Sequence, residues 1–97
     1  GMDIHVQKKL PAGGGLGGGS SDAATTLVAL NHLWKLSLPL QTLQEIGLSL
    51  GADVPIFLNG NASWAEGIGG KLTPINLPTP WYFVVFPNQS VSTKKFF

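Results

Sequence analysis

Apolar and polar residues alternate at the start of the chain, where Ile4 and Val6 sit among His5 and Gln7. A period of two predicts a short strand ending near Leu10 and Pro11. From Ser21 to about Leu36 the period becomes helical: Ala23, Leu27, Leu30 and Trp34 recur on one stripe. Ser20 or Ser21 is the expected N-cap of this helix, and Asp22 is expected in its first turn, where a carboxylate suits the helix dipole. Leu38-Pro39 interrupts the pattern. Pro39 suits the first position of a second helix, which carries Leu40, Leu43, Ile46 and Leu50 on one face and stops at Gly51. A short apolar stretch, Ile56-Phe57-Leu58, follows Asp53-Val54-Pro55. Ala62 to Glu66 and Lys71 to Ile75 predict two strands around the turn Gly67-Ile68-Gly69-Gly70. Trp81 to Phe86 reads as a central strand covered on both faces, bracketed by Pro78, Pro80 and Pro87. Trp34, Trp64 and Trp81 are expected in the core. The predicted order is β-α-α-β-β-β, a mixed α/β (α+β) layer structure without internal repeats.

Composition narrows the function classes. Ninety-seven residues make one small domain or part of a larger one, with roughly 60–65% of the unfolded surface buried. Hydrophobic residues are 43% and charged residues 11% of the chain, against about a quarter charged in ordinary soluble domains. Charge-driven disorder is excluded, and some apolar surface is expected to meet protein outside this segment. Six basic residues, all Lys, oppose five acids for a net charge of +1. Without Arg or a basic cluster beyond Lys8-Lys9 and Lys94-Lys95, neither a nucleic acid nor an anionic membrane is an expected partner. The absence of Cys excludes a disulfide scaffold and thiolate metal sites. It fits a reducing compartment, and the cytoplasm is the expected location. No apolar run approaches the roughly 20 residues of a membrane helix, and the start GMDIHVQKKL lacks the apolar region of a signal peptide. His5 and His32 are isolated, so no metal site is expected.

The informative segment lies between the first strand and the first helix. Six of the seven residues from 13 to 19 are glycine. Glycines let backbone N–H groups approach a ligand closely, and a helix N-terminus directly afterwards adds unpaired donors and partial positive charge. Such a loop suits a chain of phosphates. A flexible glycine tether is the plainer alternative, but Leu16 interrupts the glycines and the helix begins without a spacer. A Walker A loop requires Gly-Lys-Ser/Thr, whereas Gly18 is followed by Gly19-Ser20. The dinucleotide pattern is met formally by Gly13, Gly15 and Gly18, yet the acid expected about twenty residues later is missing. The protein-kinase glycine loop joins two strands of a hairpin, and this one leads into a helix.

The run Pro11-Ala12-Gly13-Gly14-Gly15-Leu16-Gly17-Gly18-Gly19-Ser20-Ser21-Asp22-Ala23-Ala24 resembles the phosphate loop of the GHMP small-molecule kinases. Gly51-Ala52-Asp53-Val54-Pro55-Ile56-Phe57 and Ala65-Glu66-Gly67-Ile68-Gly69 resemble further segments of that family, in the same order and at compatible spacing. The long form GLGGGSSDAA is similar to the branch that phosphorylates the 2-hydroxyl of a CDP-linked methylerythritol in the non-mevalonate isoprenoid pathway. A homoserine, mevalonate or galactose kinase of the same family, or a phosphate-binding segment without chemistry, are the alternatives.

The resemblance implies ATP, accompanied by Mg²⁺, as phosphoryl donor and a small alcohol as acceptor. Pro11, Ala12, Gly13, Gly14, Gly15, Leu16, Gly17, Gly18, Gly19, Ser20 and Ser21 would wrap the ATP phosphates, and Lys8 matches a position near the nucleotide. Ser21 is a candidate approach to Mg²⁺. Asp53 matches the catalytic aspartate, which accepts the acceptor's hydroxyl proton; residue chemistry alone leaves open that it merely caps a turn. Thr93 and Phe97 match contacts to the CDP-containing substrate. The implied fold is the ribosomal protein S5 domain 2-like N-terminal domain of the GHMP kinases, incomplete over residues 1–97. Strands carrying a partner lysine would precede this segment and a C-terminal domain would follow it. By itself the segment is therefore expected to be inactive and open to self-association.

Overall fold

The computed structural model describes residues 1–67 and 71–88. Three helices, α1 (Gly18–Leu33), α2 (Leu40–Leu50) and α3 (Val54–Asn59), are followed by a two-stranded antiparallel hairpin, β1 (Ser63–Glu66) and β2 (Lys71–Pro74). The order among the described residues is thus α-α-α-β-β. Neither residues 4–6 nor residues 81–86 form strands. Strand propensity is realised only by pairing, and among the described residues neither segment has a partner strand. Both stay open to solvent. Trp81 and Phe83 are essentially fully exposed, and Trp34 and Trp64 are about half exposed or more, so none of the three tryptophans joins the core.

Helix α1 starts three residues earlier than Ser21. Gly17, at φ 72°, forms the left-handed turn into it, and no side chain caps the end. Ser20 and Ser21 are consequently helical rather than caps, and Asp22 lies beyond the first turn. Helix α2 ends at the expected Gly51, its C-cap, and begins one residue later than expected, with Pro39 as the extended N-cap residue and Leu40 as the first helical one. Asn31 joins the two helices: its side-chain amide donates to the Leu38 carbonyl (3.2 Å) and its oxygen accepts from the Leu38 N–H (2.9 Å). The third helix replaces the short apolar stretch expected at residues 56–58. Pro55 in its first turn and the left-handed Gly60 after its last residue define its ends, with the Gly60 N–H donating to the Ile56 carbonyl at 3.0 Å.

Among the described residues the core is small: Ala24, Leu43 and Val54 are buried, with Pro55 buried beside Val54. On α2 the buried row is Leu43 and Gly47, one turn apart, while Ile46 and Leu50 of the expected face remain exposed. Gly47 lets α3 come close. A Cβ at this position would lie 2.8 Å from Val54 Cγ1 and 3.0 Å from Leu58 Cδ1. Gly47→Ala gains about 1 kcal/mol of helix propensity, but overpacking a tight contact costs about 1–3 kcal/mol. Thermal unfolding should therefore show net destabilisation; a more stable variant would mean that α2 and α3 are not seated so closely.

The hairpin pairs Trp64 with Thr73 and Glu66 with Lys71, and an exposed ion pair of 3.7 Å joins the latter two side chains. Asn59, at the end of α3, donates to the Ser63 hydroxyl at 3.1 Å and ties the hairpin to the helices.

Candidate functional site: a glycine cradle at the start of α1

Gly13, Gly15 and Gly17 adopt left-handed φ values of 74°, 74° and 72°. Left-handed residues at alternate positions turn successive N–H groups toward one side, the concave arrangement that receives anions. The first helical bond of α1 runs from the Ser21 N–H to the Gly17 carbonyl at 2.8 Å. The amides of Gly18, Gly19 and Ser20 therefore lie in the first turn, where no helical carbonyl is available to them. Two amides of the expected set are otherwise engaged: that of Ser21 in this bond, and that of Gly14 with the Pro11 carbonyl at 3.3 Å.

Lys8 and residues 11–20 line one cavity of about 200 Å³. The glycine loop folds around this space. Ser21 does not line it, and neither does Asp53. A larger depression of about 440 Å³ lies between α2, α3 and the hairpin, lined in part by Gln44, Glu45 and Lys71. No glycine lines it, and of the first turn of α2 only Leu40 and Gln41 reach it, so volume alone does not mark the site.

Lys8 is held over the cradle by charge. Its Nζ lies 2.7 Å from Asp22 Oδ2 and about one van der Waals contact, 3.7 Å, from where a Cβ of Gly18 would be. An ammonium at the positive end of a helix is unfavourable alone; Asp22 offsets it, and an incoming anion would do so more directly. Asp22 thus has a use that the sequence pattern did not reveal. Both side chains are nearly half exposed, so the pair adds at most about 1 kcal/mol to folding. Lys8→Met should leave the melting temperature almost unchanged. It should weaken binding of inorganic triphosphate about 3- to 10-fold, since a charge-assisted contact is lost, and flatten the salt dependence of binding. Unchanged affinity in a titration would separate Lys8 from the cradle.

Asp53 occupies the N-cap of α3, with φ −91° and ψ −8°, and its side chain makes no capping hydrogen bond. It is exposed, and among the described residues it takes part in no ion pair. The capping role that residue chemistry left open is thus not filled by the carboxylate. Four residues later, Phe57 reaches the cradle: its ring fills the space where a side chain on Gly17 would begin. This contact was not legible in the sequence, where Phe57 belongs to an apolar stretch and ends a segment that resembles the family. Thr93 and Phe97 lie outside the described residues. Among the described residues no group of three or more His, Asp or Glu gathers as a metal cluster, and no helix is long and apolar enough to cross a membrane.

Over all 97 residues the chain is 60% identical to a protein of Chromohalobacter salexigens named 4-diphosphocytidyl-2-C-methyl-D-erythritol kinase. It is 59% identical to proteins of the same name from Nitrosococcus oceani and Pseudomonas aeruginosa. The whole of this chain is covered in each comparison, but only 33%, 35% and 34% of those proteins; the chain spans about a third of the length of these curated relatives. The family model for the GHMP kinases N terminal domain matches residues 1–61. That stretch holds the cradle, Lys8, all three helices and Asp53, and by it the chain belongs to the GHMP kinase N-terminal domain family.

Proposed function

We propose that this chain is the phosphate-binding part of an ATP-dependent kinase. In the complete protein it would transfer the γ-phosphoryl group to the 2-hydroxyl of 4-diphosphocytidyl-2-C-methyl-D-erythritol, a precursor in the non-mevalonate isoprenoid pathway. The observation that carries this reading is the glycine cradle: unpaired amides at the start of α1, left-handed glycines ahead of them and the Lys8 ammonium on the rim. The substrate rests on identity near 60% to relatives of that name.

Phosphoryl transfer asks a protein mainly for alignment and charge stabilisation. The amides of residues 13, 15 to 20 and the Lys8 ammonium would hold the triphosphate, with Mg²⁺ arriving on the nucleotide. The acceptor oxygen forms its bond to the γ-phosphorus while the bond to the β-bridging oxygen breaks, and ADP leaves. The acceptor's hydroxyl proton passes to the Asp53 carboxylate. Thr93 and Phe97 would contact the cytidine-bearing part of the substrate. In this reading residues 1–97 belong to an S5 domain 2-like N-terminal domain, the reaction is cytoplasmic, and turnover requires a longer chain than these residues. The exposed run at 81–86 supports self-association of the 97-residue chain; a monomeric mass by light scattering would refute it.

The test is a substrate panel. The complete gene product carrying these residues is incubated with Mg-ATP and, separately, the CDP-linked methylerythritol, homoserine, mevalonate or galactose, and ADP release is followed with phosphorus NMR of the product. A new phosphate monoester on the first substrate alone is expected. Turnover only with one of the others would move the protein to another branch of the family, and no turnover with any of them would refute the kinase reading.

A further inference from the structure

Phe57 stands at an unusual place for a large apolar side chain. It is 41% exposed, so core burial does not account for where it sits. Its ring lies instead against the glycine loop: Cζ, Cε2 and Cε1 are 2.6, 3.0 and 3.8 Å from where a Cβ on Gly17 would be. Gly17 is the residue that turns the loop into α1, so the ring bears on the hinge of the cradle. At its other end the same side of α3 begins with Asp53. The near-helical dihedrals of Asp53 put it one turn before Phe57 on that side, about 6 Å along the axis. The seat of α3 is fixed by Val54, which is 1% exposed and packs into the space left by Gly47.

From this arrangement we infer that Phe57 is a positioning residue: its ring is the spacer that fixes the separation between the glycine cradle and the Asp53 carboxylate. The inference rests on the kinase reading and deepens it. The Asp53 side chain is anchored neither by a capping bond nor, among the described residues, by an ion pair, so its position depends on the helix that carries it. One end of that helix is braced against the core through Val54. Its middle is braced against the loop through Phe57. Removing the second brace lets the phosphates and the proton acceptor drift relative to each other without touching either directly.

The test uses the complete gene product with Phe57→Leu, Phe57→Met and Asp53→Asn, singly and with each Phe57 change combined with Asp53→Asn. Displacement of reacting groups by about 1 Å costs on the order of 100-fold in rate. Phe57→Leu is expected to lower kcat about 30- to 100-fold at saturating substrates, with KM for ATP changed less than about threefold. Met, about the volume of Leu but unbranched and longer in reach, should recover only part of the loss, leaving kcat about 10-fold below the parent. In the Asp53→Asn background, Phe57→Leu should cost little more, because the group being positioned is already gone. A purely structural role would instead move the melting temperature and leave kcat of the folded fraction unchanged. Amide shifts on adding inorganic triphosphate establish that each variant is folded and has its cradle, and Phe57→Met serves where Phe57→Leu does not fold. A kcat within threefold of the parent for the folded variants, or losses that multiply with that of Asp53→Asn, overturns the inference. In either case an inactive Asp53→Asn leaves the kinase reading standing. Full turnover by Asp53→Asn overturns both the assignment of Asp53 and this inference.

Discussion

Asp53→Asn should lower kcat of the complete protein by about 100- to 10,000-fold, the range attributed to a positioned acid or base, while KM for ATP changes less than about threefold. The amide keeps the size and shape of the carboxylate but cannot take up the acceptor's proton. Stability gives the substitution little room to act otherwise. Asp53 is exposed, and its side chain makes no capping bond, so the exchange should cost folding no more than about 0.5 kcal/mol. ATP affinity gives it equally little, because Asp53 is absent from the cavity formed by Lys8 and residues 11–20. Steady-state kinetics at saturating ATP, with a melting curve on the same preparation, separates these contributions. A kcat near that of the parent would remove Asp53 from the chemistry, however well its surroundings match the family.

The sequence was most legible where one local signal decides the structure. Pro39 and Gly51 bracket α2 within one residue of expectation because a fixed φ at one end and a helix-breaking residue at the other act within a few residues. The hairpin is similar: the two strands expected around Gly67 form within one residue of their expected ends, pairing Ser63 with Pro74 through Glu66 with Lys71. The strand-to-helix role of the glycine run was legible only in its second half. Its helix begins within the glycines, because Gly17 can take the left-handed turn that makes a serine cap unnecessary.

What failed was whatever depended on distant partners. Residues 4–6 alternate well and residues 81–86 are rich in β-formers, but a strand is stabilised by the strand beside it, and pattern alone does not supply one. Helix α3 is illegible in the sequence for a different reason. Six residues are too few to show a helical period, and a short apolar run reads equally well as a buried strand. Its consequence for the site is large, since α3 carries Asp53 at one end and presents Phe57 to the loop. The residue types of the cradle and the carboxylate could be read from the chain, whereas the link between them is a contact between positions 17 and 57 that no local pattern encodes.

The same contact sets the expected result for Gly17→Ala, which should be the most damaging single change in the loop. Two costs fall on one methyl group. At φ 72° an L-residue is held in the left-handed region, at about 1–2 kcal/mol, and the new Cβ would lie 2.6 Å from Phe57 Cζ. Such a separation is untenable, so either the ring or the loop must move. The ring can swing aside only by giving up its contact with the loop, and retreat of the loop turns the amides of Gly18 and Gly19 away from a bound phosphate. Binding of inorganic triphosphate should weaken at least about tenfold, equivalent to 1.4 kcal/mol, and the melting temperature should fall. Gly15 provides the control. It has the same left-handed φ, of 74°, but a Cβ there would meet nothing within 4 Å, so Gly15→Ala carries the backbone cost alone. In the Phe57→Leu background the shorter side chain makes room, and the excess damage of Gly17→Ala over Gly15→Ala should shrink. If the two alanine variants bind triphosphate equally weakly with Phe57 intact, the ring does not brace the loop, and left-handed strain is the whole of the effect.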